Sequence, residues 1–113
     1  LSLGGLAFQV KTLQDSTGKS ITGVYIILED WDSWRPTELA FHMMKLSAKW
    51  ETPSPFTQAK DSEVTLFNKH VGSTSWWNHL YQSGHTCEPN KFLVKWDMDT
   101  EEFRNLVSKY YLY

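Results

Sequence analysis

Hydrophobic and polar positions alternate on both sides of a short polar loop near the start of the chain. The two apolar runs lie within Leu6–Leu28, and the loop between them carries Asp, Ser, Thr and Gly. Alternation with a period of two predicts strands, and the loop composition predicts a turn, so the segment is predicted as a β-hairpin. A symmetric loop places Phe8 opposite Tyr25 on one face of the sheet, with Gly23 leaving a gap beside them. The two rings form either part of the core or a slot for a flat ligand.

Two later segments repeat their apolar residues with the period of an α-helix. Between Pro36 and Trp50 these residues recur three and four positions apart, and the proline suits the first turn. The segment 100–110 follows an acidic capping sequence and continues with the same spacing. The pattern therefore predicts helices at 36–50 and 100–110.

The region between these helices has shorter patterns. Residues 63–68 are rich in β-forming side chains, and residues 91–97 place apolar side chains at alternate positions, so both are predicted as strands. Residues 76–81 fit a short helix, although the adjacent tryptophans fit a strand equally well. Together the patterns predict an α+β fold: a mixed, mainly antiparallel sheet of four to six strands with two main helices packed on it.

Composition narrows the possible functions. The 113 residues suit a single domain over 1–113, which we expect to be excised from a longer multidomain protein. Six Trp, five Tyr and six Phe are too many for all to be fully buried, so some are expected at a ligand or partner surface. The net charge of −2, without a basic stripe, argues against broad binding to long nucleic acid. One cysteine provides no internal disulfide, so a reducing, cytoplasmic setting is expected.

Signals for catalysis and metal binding are weak. The chain lacks a Gly-rich phosphate loop, a zinc-protease motif and a nucleophile elbow. His79, His85 and Cys87 lie within nine residues but complete no known metal-ligand spacing. Asp30 and Asp32 lack a nearby third group for acid–base chemistry. No catalytic residue, metal or cofactor is predicted, and a small enzyme built on these groups is kept as a third hypothesis.

Residues suited to binding a flat cationic ligand are easier to find. A 7-methylated guanine gains stacking and cation–π energy between two aromatic rings. It also needs an acceptor at the guanine edge and cations at the phosphates. The candidates for stacking are Phe8 and Tyr25. The candidates for the guanine edge are Glu29 and Trp77, and those for the phosphates are Lys11 and Lys19.

The opening Leu-Gly-Gly-Leu-Ala-Phe of residues 3–8, followed by the hairpin, resembles the cap-binding domains in polymerases of segmented negative-strand RNA viruses. The small domain in the large protein of phlebovirus-like viruses is the closest in size. The resemblance implies a non-enzymatic module with Phe8 and Tyr25 as its stacking pair. It would bind the 7-methylguanosine cap of messenger RNA for cap-snatching by an RNA-dependent RNA polymerase.

The partners implied are capped mRNA and the remainder of a viral polymerase, without membrane or DNA, and the implied location is the host cytoplasm or the virion. The alternative function, from a different class, is a protein–protein interaction module with an exposed Trp and Tyr surface.

Overall fold

A computed structural model describes residues 2–112, and the chain forms two compact units divided after Leu39. The elements are β1 (Leu6–Gln14), β2 (Ser20–Leu28), α1 (Pro36–Trp50), α2 (Asp61–Val71), α3 (Thr74–Ser83) and α4 (Pro89–Val107), with 3-10 turns at Pro55–Gln58, Gly84–Thr86 and Ser108–Tyr110. The predicted α+β class is confirmed. Within the described residues the sheet has two antiparallel strands rather than the four to six predicted. None of the described helices is long and apolar enough to cross a membrane.

Asp15 organises the loop of the hairpin. Its carboxylate accepts hydrogen bonds from the Thr17 N–H at 2.8 Å, the Lys19 N–H at 3.0 Å and the Thr17 hydroxyl at 2.6 Å. The Asp15 N–H in turn donates to the Lys19 carbonyl at 2.9 Å. The last pair of the two strands is Gln14 with Ser20, so the loop consists of the five residues 15–19. The hydrogen bonds between Asp15 and Lys19 close this loop.

The register of the hairpin differs by one residue from the symmetric pairing predicted. Phe8 pairs with Ile26, and Tyr25 pairs with Gln9. A one-residue shift moves every side chain of one strand to the other face, so Phe8 and Tyr25 lie on opposite faces of the sheet. The predicted aromatic slot is therefore wrong, and the five-residue loop is the reason.

Close backbone packing at Gly5 fixes the loop that follows β2. The Gly5 carbonyl accepts hydrogen bonds from the N–H groups of Glu29 at 2.8 Å and Asp30 at 3.2 Å. Gly5 has a φ of 74°, and a Cβ there would clash with the Asp30 carbonyl oxygen and lie 2.8 Å from the Trp34 nitrogen. Glycine is required here both by the backbone angle and by the space.

The second unit is built around a buried core. Its buried members are Phe41, Trp76, Leu80, Cys87 and Leu93. The centroid of the Phe41 ring lies 4.5 Å from that of Trp76 and 4.8 Å from that of Trp96. The indole N–H of Trp76 donates to the Met44 sulfur at 3.1 Å. These contacts join the body of α1 to α3 and α4.

The predicted strand at 63–68 is part of α2. The helix begins where the Glu63 carboxylate accepts the Lys60 N–H at 2.8 Å, and it ends at Gly72, which has a left-handed φ of 75°. Phe67 then contacts Trp77, with ring centroids 5.0 Å apart. Helix caps at both ends and a core contact override the β propensity of these residues.

The predicted strand at 91–97 is part of α4. Leu93 is buried at 7% exposure, whereas Val94 is 58% exposed, so the inward face follows a helical rather than an alternating pattern. The predicted helix at 36–50 coincides with α1, and residues 76–81 lie within α3. The predicted helix at 100–110 covers the end of α4 and the 3-10 turn after it.

Candidate functional site

Tyr25 lies in the middle of β2, with about half of its side chain exposed. The ammonium of Lys11, on β1, lies 4.1 Å from the centroid of the Tyr25 ring. A cation over an exposed ring is attracted by about 0.5–1 kcal/mol, so the ring restrains the ammonium on this face of the hairpin. The structure thus brings together two of the residues predicted to bind a ligand.

A depression of about 350 Å³ lies beside this pair, above Gly23. Gly23 is the register partner of Lys11, and a Cβ built on it would meet no atom within 4 Å. The missing side chain therefore creates the open space. Leu13 and Ile21 line the end of the depression that is nearer to the loop.

Asp15 also borders the depression, but its carboxylate is engaged by the loop. The pKa of Asp15 is held below its usual value, mainly by the hydrogen bond from the Thr17 hydroxyl and then by those from the N–H groups of Lys19 and Thr17. A carboxylate stabilised in its ionised form does not serve as a proton donor at neutral pH. Lys11 is therefore better placed than Asp15 to contact a ligand through its charge.

Three further residues predicted to bind the cap lie away from Tyr25. Phe8 is half-buried on the opposite face of the sheet. Glu29 follows the last pair of the hairpin, four residues and about 13 Å of extended chain beyond Tyr25. Lys19 lies in the loop, where its N–H is bonded to Asp15. The structure does not assemble these groups into one site.

Trp77 and Cys87 belong to the core of the second unit. The Trp77 side chain is 8% exposed, and its ring lies edge-on to Phe56 and Phe67, with centroids 5.8 and 5.0 Å apart. Cys87 is fully buried, and burial raises the pKa of its thiol. Trp77 is therefore packed as a core residue, and it could contact a guanine edge only by leaving the core.

The histidines near Cys87 are not arranged as metal ligands. Nε2 of His79 accepts the Glu88 N–H at 2.9 Å, next to the start of α4. His85 is exposed in a 3-10 turn. Across residues 2–112, no group of three His, Cys, Asp or Glu side chains is placed to hold a metal ion. His79 therefore has a structural role in the turn before α4.

The acidic and aromatic loop after β2 is held by its own side chains. The Asp30 carboxylate accepts hydrogen bonds from the Ser33 hydroxyl at 2.5 Å and from the Asp32 N–H at 3.0 Å. Both bonds lower the pKa of Asp30, and the bond from Ser33 has the larger effect. Trp31 is 75% exposed, and its ring meets that of Trp34 edge-on at 5.9 Å. Asp30 thus shapes the loop and is unsuited to act as a general acid.

A family model described as the C-terminal part of the exo-beta-N-acetylmuramidase NamZ matches residues 3–113, which is almost the whole chain. The chain belongs to this family. No curated protein and no solved structure matches the chain.

The family match overturns the resemblance to viral cap-binding domains. Cap binding, cap-snatching, and partnership with capped mRNA and a viral polymerase are all wrong, and the protein-interaction alternative gains no support. The host-cytoplasm and virion locations are also wrong, because the family is that of a bacterial muramidase. The Gly-Gly sequence that carried the resemblance is explained by the packing of Gly5 against the loop after β2.

The expectation of a non-enzymatic module in a polymerase is likewise wrong. The family is named for the C-terminal part of a glycosidase, so a polymerase as the parent protein is not supported. The sequence pattern placed Tyr25 and the gap at Gly23 on one face but did not show that Lys11 lies on the same face. The signal was Asp15 in the loop, whose side chain and N–H can close a five-residue connection.

Proposed function

We propose that this chain acts within an exo-β-N-acetylmuramidase and contacts N-acetylmuramic acid through the depression above Gly23. The observation that carries the proposal is the Lys11 ammonium, held 4.1 Å from the Tyr25 ring centroid beside the open space at Gly23. The family match over residues 3–113 supplies the class of sugar. The proposal concerns sugar contact and assigns no bond cleavage to Asp15 or Asp30.

The chemistry of N-acetylmuramic acid suits this pair of side chains. The sugar differs from N-acetylglucosamine by a lactyl ether that ends in a carboxylate. A hydrogen bond between an ammonium and a carboxylate contributes about 1.5–3 kcal/mol, more than a neutral one. Lys11 supplies that ammonium at the edge of the depression, and Tyr25 restrains its position. The carboxylate is thus the feature by which this face would distinguish the two sugars.

The space above Gly23 fits one sugar residue. Its volume of about 350 Å³ lies at the lower end of ligand sites in proteins, which range from about 300 to 1,000 Å³. Apolar side chains at one end, Leu13 and Ile21, suit the C–H groups of a pyranose ring. A small, partly apolar depression with a cation at its edge matches a single acidic sugar better than a long glycan.

Isothermal titration of the 113-residue chain with the two free sugars tests the proposal. We expect N-acetylmuramic acid to bind at least about tenfold more tightly than N-acetylglucosamine, which corresponds to about 1.4 kcal/mol. Lys11→Met keeps the length of the side chain and removes its charge, so it should abolish this preference.

Lys19→Met is the matched control, because Lys19 is a lysine of the same hairpin that lies in the loop. It should retain the preference for N-acetylmuramic acid. Equal affinity of the unsubstituted chain for the two sugars would refute the proposal. So would a Lys11→Met variant that still prefers N-acetylmuramic acid.

A further inference from the structure

The hairpin face opposite to Tyr25 carries no charged side chain; it is half-buried at Leu6, Phe8 and Leu28 and exposed from there to the loop. We call this the uncharged face. Its register pairs are Leu6 with Leu28, Phe8 with Ile26, Val10 with Val24, Thr12 with Thr22, and Gln14 with Ser20. Val10 is 71% exposed and Val24 is 62% exposed, although both are apolar. Adjoining exposed apolar side chains of this kind are often found where a protein contacts a partner.

The polar groups on the uncharged face are suited to a dry interface. The hydroxyls of Thr12 and Thr22 lie 2.8 Å apart and form a hydrogen bond with each other. Covering them therefore leaves fewer hydrogen bonds unmade than covering free hydroxyls would. The opposite face differs, because it carries Lys11 and the depression at Gly23.

We propose that the uncharged face is covered, in the intact muramidase, by the part of the enzyme that precedes this domain. The family is described as the C-terminal part of NamZ, so its members have a preceding part in the same polypeptide. The family match begins at residue 3 and β1 begins at Leu6, so the hairpin lies at the N-terminal end of the matched residues, on the side of that part.

The size of the face favours a covalently joined occupant over a second copy of the chain. Two strands of nine residues give a face of about 30 by 10 Å, or about 300 Å² per partner. Two such faces bury about 600 Å² in total, below the roughly 1,200 Å² of stable complexes between separate proteins. A domain in the same polypeptide needs less area, because the linker supplies an effective concentration in the millimolar range.

Cysteine labelling on the two faces of β2 tests this inference. Val24→Cys places a thiol on the uncharged face, and Ile21→Cys is the matched control on the other face. The native side chains at these two positions are similarly exposed, at 62% and 55%. Cys87 is fully buried and should stay unlabelled while the protein is folded. Labelling rates are compared between an intact muramidase that carries this domain and the separate 113-residue chain.

We expect the Val24→Cys thiol to react at least about tenfold more slowly in the intact enzyme, and the Ile21→Cys thiol to change by less than about twofold. Equal Val24→Cys rates in the two proteins would overturn the inference. Slow labelling that appears in the separate chain only as its concentration rises would also overturn it, in favour of a second copy.

If a variant fails to fold, residue-resolved hydroxyl-radical footprinting of the unsubstituted proteins compares Val24 with Ile21. The same protection of Val24 is expected, and its absence would refute the inference. This result is independent of sugar binding, so the failure of one proposal leaves the other standing.

Discussion

Replacing Gly23 with valine should raise the stability of the hairpin while it removes the proposed sugar site. A glycine inside a strand costs about 0.5–1 kcal/mol relative to alanine, and valine is a favoured strand residue. A Cβ at this position meets no atom within 4 Å, and Gly23 is absent from the glycines with positive φ. We therefore expect the free energy of unfolding to rise by about 0.5–1 kcal/mol and Tm to rise by about 2–5 °C.

The valine side chain would occupy the space that faces Lys11, so the affinity for N-acetylmuramic acid should fall at least about tenfold. Thermal unfolding followed by circular dichroism and isothermal titration on the same preparation give the two quantities. Gly23→Ala is the matched intermediate, which should be stabilised but should keep most of the open space. A stabilised Gly23→Val variant with unchanged affinity would refute the location of the site. A lower Tm would refute the structural reasoning about the strand.

Three further substitutions test the packing and the loop. Gly5→Ala should lower Tm strongly in thermal unfolding, because the added Cβ clashes with backbone atoms at a φ of 74°; an unchanged Tm would contradict the packing of the loop after β2. Asp15 has a lowered pKa in the folded state, so its stabilising contribution is present at neutral pH and is lost as the pH falls below about 4. The Tm difference between the unsubstituted chain and Asp15→Asn should accordingly shrink at low pH, and a constant difference would exclude this role. Trp76→Ala should cost about 3–5 kcal/mol in urea unfolding, since Trp76 is fully buried against Phe41, while Trp50→Ala, at a 74% exposed position, should cost less than about 0.5 kcal/mol.

The sequence predicted the location of the hairpin but not its register. Alternating apolar residues mark both strands, and that signal does not depend on how the strands are aligned. The alignment depends on the loop, where Asp15 bonds to Lys19 and sets an odd number of loop residues. Because the register differs by one residue from the symmetric pairing, the Tyr25 ring lies next to the ammonium of Lys11 and not next to Phe8.

Misassignment of α2 and α4 has a different physical cause. Residues 91–97 place apolar side chains at alternate positions 92, 94 and 96, but Leu93 is buried and Val94 is exposed, because the segment is part of a helix. In 63–68 the cap formed by Glu63 and the contact of Phe67 with Trp77 outweigh the β propensity of the residues. Tertiary contacts among aromatic side chains decided both segments, and these contacts are not local in the sequence.

The family could not be inferred from a short motif. Gly-Gly followed by an aromatic residue suggested a viral cap-binding domain, yet Gly5 is required by its contact with the backbone of Asp30 and Trp34. A tight backbone approach of this kind can occur in any fold, so the motif carries little information about function. The match along residues 3–113 draws on the whole chain and corrects the assignment.

The binding site for N-acetylmuramic acid can be mapped directly by following the backbone amide resonances of the 113-residue chain during a titration with this sugar. We expect the largest shifts at Lys11, Gly23 and Tyr25, and much smaller ones with N-acetylglucosamine at the same concentration. Shifts centred on the loop around Trp31, or no shifts at a saturating concentration of N-acetylmuramic acid, would contradict this expectation.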